Sequence, residues 1–233
     1  MKISYNWLKD YLDIKIPAQQ VLAKLTDAGL EVVACEQAGD DFVFEVEITA
    51  NRADWLSMAG IAREVSALTN TALNKRWVAL PTECSNQKRS FAIEILDIDC
   101  CTRYVGMLVQ NVKIAHSPEW MQKRLNAVGK RSINNAVDIT NFCLYELGQP
   151  MHVFDFDKIK GSKLIVRKAK QGEKIVTLDG VTRELDASIV VIADIEKPVA
   201  IAGIIGGMDT QVTDKTKNIL LESACFDQII TRR

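Results

Sequence analysis

The chain has 233 residues and a formal net charge of −1 at pH 7, with 48% hydrophobic and 25% charged residues. This balance is typical of a globular protein with one large domain or two small ones. It argues against a protein dedicated to coating DNA or RNA, so any contact with nucleic acid is expected from a local patch. No apolar run approaches the length of a membrane span, and the N-terminus does not resemble a signal peptide. We therefore expect no membrane partner.

The cysteines and histidines indicate no metal site. The six cysteines are Cys35, Cys84, Cys100, Cys101, Cys143 and Cys225. No two of them have the Cys-x-x-Cys spacing of a zinc or redox motif, and two histidines are too few for a histidine-rich site. Without an export signal, reduced thiols in the cytoplasm are the simplest interpretation.

The first 75 residues predict a small helix-helix-strand module. Ser4 is predicted to cap the first helix, and Gly29 to close the second. A strand is predicted over 30–35, and residues 42–49 alternate between apolar and polar as a half-exposed strand does. Asp54 is predicted to cap the helix that follows.

A linker and a second domain are predicted next. Residues 76–89 are polar and irregular, which is typical of a linker. Strands are predicted over 91–96 and 104–112. Pro118 then favours a helix start, and Gly129 ends that helix.

The last third of the chain is rich in predicted strands. They cover residues 163–168, 174–178, 181–185 and 189–192. Asp179-Gly180 is the strongest hairpin signal in the chain. Together the elements predict an α+β fold, in which the small N-terminal module (1–75) and the linker (76–89) precede a mixed-sheet α+β domain over 90–233.

Residues 131–155 predict a helix followed by a turn. The buried stripe of this helix is predicted to consist of Ala136, Ile139, Cys143 and Leu147. Gly148 is predicted to cap its C-terminus. A hydroxyl, an amide and an imidazole could then converge at the helix end, from Thr140, Asn141 and His152. In the alternative interpretation, Asn141 caps backbone groups and His152 is an ordinary loop histidine.

Two further segments contain candidate functional residues. Residues 199–207 are apolar and glycine-rich, but they lack the lysine of a P-loop and the spacing of a dinucleotide motif. Ala202 and Gly203 within them would let a ligand approach the backbone closely. Glu222 lies inside the apolar strand 218–226, where a carboxylate without a partner is costly. Alternatively, Glu222 points to solvent from an edge strand.

The stretch 131–155 closely resembles a signature of the β subunit of bacterial phenylalanyl-tRNA synthetase. The shared motifs are Val-Asp-Ile-Thr-Asn-Phe and Glu-Leu-Gly-Gln-Pro-Met-His-Val-Phe-Asp. The N-terminal Ser-x-x-Trp-Leu-x-x-Tyr and the element Asn-Arg-x-Asp-x-Leu-Ser also resemble this family. One departure is large, because most bacterial β subunits insert a tRNA-binding oligonucleotide-fold domain where this chain has only residues 36–41. No function of that inserted domain is carried over.

The resemblance implies an editing domain that hydrolyses the ester between tyrosine and the tRNA specific for phenylalanine. A pocket for phenylalanine rejects an added hydroxyl by only about 10²-fold, whereas a site that binds the hydroxyl can discriminate by roughly 10⁴ or more. Glu222 would accept the hydrogen bond of the tyrosine hydroxyl, and Ala202 and Gly203 would leave room for the ring. The ester, the terminal ribose and a water would be positioned by the implied catalytic residues His152, Thr140 and Asn141. No general base is assigned, since the terminal hydroxyl of the tRNA could share that task.

The resemblance also implies a larger enzyme. An intact synthetase is an aminoacyl-tRNA ligase of protein biosynthesis that uses ATP and Mg²⁺ and pairs the β subunit with an α subunit in an (αβ)₂ assembly. This chain resembles an N-terminal piece of such a subunit and needs no cofactor of its own. A basic surface of Lys123, Arg124, Lys130 and Arg131 could contact the phosphates of the tRNA acceptor end, or could simply be a solvated helix face. Two alternatives are a free-standing deacylase and a non-catalytic RNA-binding or structural module.

Overall fold

The computed structural model describes residues 1–74 and 89–232, which form two compact units. The first unit contains residues 1–74 and 116–149, and the second contains residues 89–115 and 150–232. The predicted linker lies outside the described residues except for Arg89. Within the described part of the chain, no helix is long and apolar enough to cross a membrane.

Both units contain helices as well as strands, which confirms the predicted α+β class. The helices are α1 (Tyr5–Leu8), α2 (Ala18–Asp27), α3 (Met58–Thr69), α4 (Glu119–Ala127), α5 (Asn135–Leu147) and α6 (Gln228–Arg232). The strands are β1 (Lys2–Ser4), β2 (Glu31–Ala38), β3 (Asp41–Glu47), β4 (Ala92–Ile95), β5 (Cys101–Val109), β6 (His152–Asp155), β7 (Lys163–Lys168), β8 (Glu173–Val176), β9 (Thr182–Leu185), β10 (Val190–Ala193), β11 (Pro198–Ile201), β12 (Ile205–Gly206) and β13 (Ile219–Phe226).

The first unit packs its helices on an antiparallel sheet of order β1-β3-β2. Helix α1 begins where predicted, since the Ser4 hydroxyl accepts a hydrogen bond from the Trp7 amide at 3.0 Å. Helix α3 begins later than predicted. Its N-cap is Ser57, whose hydroxyl accepts from the Gly60 amide at 2.9 Å, whereas Asp54 lies in the preceding 3₁₀ turn. Both residue types are good N-caps, so residue type alone did not separate them.

Helices α4 and α5 share the hydrophobic core of the N-terminal segment. The rings of Trp7 and Phe142 stack with centroids 4.7 Å apart, and Met121 and Leu125 of α4 join the same buried cluster. The compact units therefore divide the chain differently from the predicted boundaries, because residues 116–149 pack with the N-terminal module.

Helix α5 buries a different face from the predicted stripe. Ile139 and Leu147 are 45% and 64% exposed, and Phe142 is buried instead. The predicted stripe was therefore wrong for these two residues. The predicted cap was confirmed, since Gly148 ends the helix with a φ of 80°.

A buried carboxylate accounts for this orientation of α5. Asp138 is fully buried and accepts hydrogen bonds from the hydroxyls of Ser117 and Ser132 and from the Ile133 amide. Such a carboxylate must stay with its donors, because leaving it unpaired is far costlier than exposing a leucine. The polar anchor therefore fixes which face of the helix is buried.

The second unit packs two sheets on one core. One sheet has the order β12-β11-β10-β7-β4, with β4 and β7 parallel, and the other has the order β5-β13-β6 and is antiparallel. The core cluster draws Phe154 and Leu220 from the three-stranded sheet and Leu164 and Val166 from the five-stranded sheet. The predicted hairpin at Asp179-Gly180 joins β8 to β9. Strand β13 is thus the central strand of a sheet whose inner face meets the core.

Candidate functional site

Glu222 lies at the middle of β13, between residues of both neighbouring strands. In the antiparallel register it is directly opposite His152 of β6 and Gly106 of β5. Directly paired residues project to the same face of a sheet. Because Leu220, two residues before Glu222, is in the core, Glu222 and His152 lie on the inner face. His152 is therefore on a strand and not in the predicted exit turn.

The Glu222 carboxyl is buried without a compensating cation. The residue is 6% exposed, so the alternative of a solvent-facing edge-strand glutamate does not hold. Burial raises the pKa of Glu222 to about 7, and the nearby Tyr104 hydroxyl lowers it by a smaller amount. No positive charge within the described residues offsets this burial. The carboxyl is therefore poised between its neutral and ionised forms near pH 7.

Two oxygen atoms at this position are buried and unsatisfied. Glu222 Oε2 and the Tyr104 hydroxyl have no hydrogen-bond partner of regular geometry among the described residues. They are nevertheless close enough to affect each other. Burial is the largest cause of the raised pKa of Tyr104, and the Glu222 carboxyl is the next largest. Unpartnered buried polar atoms are rare in native structures and call for an explanation.

His152 is a neutral imidazole beside this carboxyl. Burial lowers its pKa to about 4, so at pH 7 one ring nitrogen donates and the other accepts. Its ring packs edge-on against Phe154, with centroids 4.5 Å apart. A Cβ atom added to Gly206 would lie 2.5 Å from Cε1 and 2.6 Å from Nε2 of the imidazole. Gly206 therefore makes room for His152, a role that its place in a glycine-rich run did not indicate.

Ala202 and Gly203 lie at the turn of the hairpin between β11 and β12. Ala202 is buried in the core, and Gly203 has a φ of 69° that favours glycine. A Cβ atom on Gly203 would approach Phe226, at the end of β13, to 3.2 Å. The same hairpin thus contacts His152 through Gly206 and the Glu222 strand through Gly203. A single ligand pocket shared by these residues stays a prediction.

Thr140 and Asn141 belong to α5 in the first unit. Thr140 is buried, and its hydroxyl donates to the Val137 carbonyl at 2.7 Å, a bond within the helix. Asn141 is partly buried. Because His152 belongs to the second unit, the convergence of hydroxyl, amide and imidazole stays a prediction.

The predicted basic surface of the first unit is partly neutralised. Arg124 forms an ion pair with Asp10, and Lys123 pairs with Glu119 at 3.0 Å. Lys130 and Arg131 are exposed. A contact with phosphates at this surface would therefore depend mainly on these two residues.

The described residues include no group of three or more histidine, cysteine, aspartate or glutamate side chains that could hold a metal ion. The predicted absence of a metal site stays a prediction. Around Glu222, the second unit presents a buried carboxyl, a neutral imidazole and a phenolic hydroxyl.

Comparison with known proteins assigns the chain to a family. The sequence profile of the B3/4 domain matches residues 100–233, which is more than half of the chain. The phenylalanine–tRNA ligase β subunit of Moorella thermoacetica is 51% identical over 209 residues, which cover 89% of this chain and 26% of that protein. The corresponding subunit of Carboxydothermus hydrogenoformans is 48% identical over 194 residues, 83% of this chain and 24% of that protein. The chain thus spans about a quarter of the length of these relatives.

A solved structure shares the fold. It is the crystal structure of an N-terminal fragment of the phenylalanyl-tRNA synthetase β subunit from Pyrococcus horikoshii, with a TM-score of 0.52 at 16% identity. The match covers 99% of this chain and 69% of that one. The resemblance that the sequence motifs indicated is confirmed by these relatives, and the chain belongs to the B3/4 domain family found in phenylalanine–tRNA ligase β subunits.

Proposed function

We propose that the chain acts within a phenylalanine–tRNA ligase β subunit and that its B3/4 domain removes tyrosine from the tRNA specific for phenylalanine. Support comes from relatives that are 41% to 51% identical and are named as this subunit. Such an enzyme would also require an α subunit, tRNA, ATP and Mg²⁺. ATP and Mg²⁺ would serve aminoacylation.

The observation that carries the proposal is the buried Glu222 carboxyl paired across the strands with His152. A tyrosine hydroxyl that enters this site would donate to the carboxyl and end its unpaired state. Phenylalanine would leave the same carboxyl desolvated and unpaired. Because the unpaired state is costly, the site would favour the tyrosyl ester.

The neutral imidazole of His152 suits a positioning role. At pH 7 it can donate a hydrogen bond from one nitrogen and accept one at the other, so it can orient the ester carbonyl or a water without adding charge. Thr140 and Asn141 are proposed to contribute to the same task at the terminal ribose. The proposal assigns no general base, since the terminal hydroxyl of the tRNA can share the proton transfer.

The test is deacylation of the tyrosyl and phenylalanyl esters by the complete synthetase and its Glu222→Ala variant. Loss of a charge-assisted hydrogen bond removes about 1.5–3 kcal/mol, so hydrolysis of the tyrosyl ester should fall roughly 10- to 100-fold. Hydrolysis of the phenylalanyl ester should stay the same or rise. Glu184→Ala is the matched control, because Glu184 is an exposed glutamate of the same unit.

Two outcomes would contradict the proposal. Equal losses on both esters would mean that Glu222 acts in the chemistry itself or in folding, and not in selecting the hydroxyl. No hydrolysis of either ester by the wild-type enzyme, even at high protein concentration, would favour a non-catalytic RNA-binding or structural module.

A further inference from the structure

Tyr104 lies next to Glu222 on the inner face of the three-stranded sheet. In the register of β5 and β13, Tyr104 pairs with Ala224 and Gly106 pairs with Glu222. Tyr104 is thus the diagonal neighbour of Glu222, a position that aromatic side chains can reach across. The residue is partly buried and packs against the core, while its hydroxyl oxygen is fully buried.

The Tyr104 hydroxyl and the Glu222 carboxyl are close enough for each to shift the pKa of the other, but no regular hydrogen bond joins them. Glu222 Oε2 can accept a hydrogen bond, and the Tyr104 hydroxyl can donate one, yet neither has a partner of regular geometry among the described residues. A phenolic hydroxyl both donates and accepts. One such group between Glu222 and Tyr104 would satisfy both at once.

We propose that Tyr104 is a second specificity-determining residue of the site, which donates a hydrogen bond to the phenolic oxygen of the substrate while Glu222 accepts a hydrogen bond from the same hydroxyl. This inference rests on the proposed function and assigns a role to a residue that no sequence motif indicated. It adds a requirement for the substrate, whose group at this position must both donate and accept. A phenylalanyl ester then leaves two buried groups unpaired instead of one.

The first test is deacylation by the complete synthetase with Tyr104→Phe. Tyr5→Phe is the matched control, because the Tyr5 hydroxyl is in the first unit and donates to the Ile16 carbonyl at 2.6 Å. Loss of one hydrogen bond should reduce kcat/KM for the tyrosyl ester by about 2- to 10-fold in Tyr104→Phe. The phenylalanyl ester should be unaffected, and Tyr5→Phe should change neither ester.

A substrate analogue separates this role from a purely structural one. The amino group of 4-aminophenylalanine can donate to Glu222, but its nitrogen is a poor acceptor for Tyr104. Hydrolysis of the 4-aminophenylalanyl ester should therefore depend on Glu222 and change less than 2-fold in Tyr104→Phe. A variant that loses activity on all three esters alike would overturn the inference and assign Tyr104 to structure.

Binding distinguishes failure of this inference from failure of the proposed function. Titration of the full chain with tyrosinamide and phenylalaninamide, followed by NMR, should show a preference for tyrosinamide that Tyr104→Phe and Glu222→Gln both reduce. If neither ester is hydrolysed but this preference holds, the proposed function fails and the role of Tyr104 stands. If hydrolysis is selective and Tyr104→Phe changes neither discrimination nor binding, the proposed function stands and the inference is overturned. If neither amide binds and neither ester is hydrolysed, both are overturned.

Discussion

Glu222 and His152 should have opposite effects on how the stability of the second unit depends on pH. The folded-state pKa of Glu222 is raised from 4.5 to about 7, so its contribution is fully present below about 4.5 and is lost as the pH rises through 7. The folded-state pKa of His152 is lowered from 6.5 to about 4, so its contribution is fully present above about 6.5 and is lost as the pH falls through 4. Between pH 4.5 and 6.5 the two dependences should cancel in the wild-type protein.

Substitution of either residue removes this cancellation. Each pKa differs by about 2.5 from its ordinary value, which corresponds to about 3 kcal/mol at 1.36 kcal/mol per unit. In Glu222→Gln, the free energy of unfolding should therefore rise by up to about 3 kcal/mol, relative to wild type, between pH 4.5 and 7. In His152→Gln, it should fall by up to about 3 kcal/mol, relative to wild type, between pH 4 and 6.5.

The assay is urea unfolding at half-unit pH steps, followed through the amide resonances of β13. These resonances report on the second unit alone, whereas the tryptophans of the described residues all lie in the first unit. Glu184→Gln, an exposed glutamate, should follow the wild-type profile. The reasoning would be refuted if the free energy of unfolding, relative to wild type, fell in Glu222→Gln and rose in His152→Gln over these pH ranges. Those signs would show that Glu222 and His152 form an ion pair and not a neutral pair.

Two further substitutions test packing, one in each unit. Asp138→Ala leaves three donors unpaired and should lower the free energy of unfolding of the first unit by about 3 kcal/mol or more. The control Asp13→Ala changes an exposed aspartate and should lower it by less than about 0.5 kcal/mol. Thermal or urea unfolding measures both. Equal effects would remove the anchoring role of Asp138. Gly206→Ala places a methyl group against the imidazole and should cost about 1–3 kcal/mol, and a double-mutant cycle with His152→Ala should recover most of this loss. An additive cycle would mean that Gly206 is needed for its backbone and not for the space it leaves.

Local chemistry determined the parts of the fold that could be predicted. Glycine caps such as Gly148, the Ser4 N-cap and the Asp179-Gly180 hairpin all depend on residues close in sequence, and all were found where expected. The apolar run 218–226 likewise located β13. These features need no knowledge of the rest of the chain.

Long-range packing determined the parts that could not be predicted. The periodicity of α5 is compatible with burial of Ile139, but the donors that hold Asp138 come from outside the helix and select another face. The stacking of Phe142 on Trp7 is equally invisible in a local window. For this reason the compact units cut across the predicted sequential boundaries.

The candidate site shows the same division. Glu222 was singled out from sequence because a carboxylate in an apolar strand is unusual, and its burial without a cation agrees with that expectation. Its neighbour His152 was singled out after the end of the predicted helix and again through the family motif, and the strand register then showed the pairing. Tyr104 and Gly206 gave no signal, since a tyrosine in a strand and a glycine in a glycine-rich run both have ordinary structural explanations.

The location of Glu222 on a central strand matters for the proposed selectivity. A carboxyl on a loop could turn to water whenever phenylalanine occupied the site, and discrimination would then be lost. Here both neighbouring strands and the core restrict the side chain, so the fold itself keeps the carboxyl desolvated before any substrate arrives. The free energy needed to desolvate it is supplied during folding and need not be drawn from binding. A tyrosine hydroxyl would therefore gain a partner at little further cost, whereas phenylalanine would gain none, and this difference would favour the proposed hydrolysis of the tyrosyl ester.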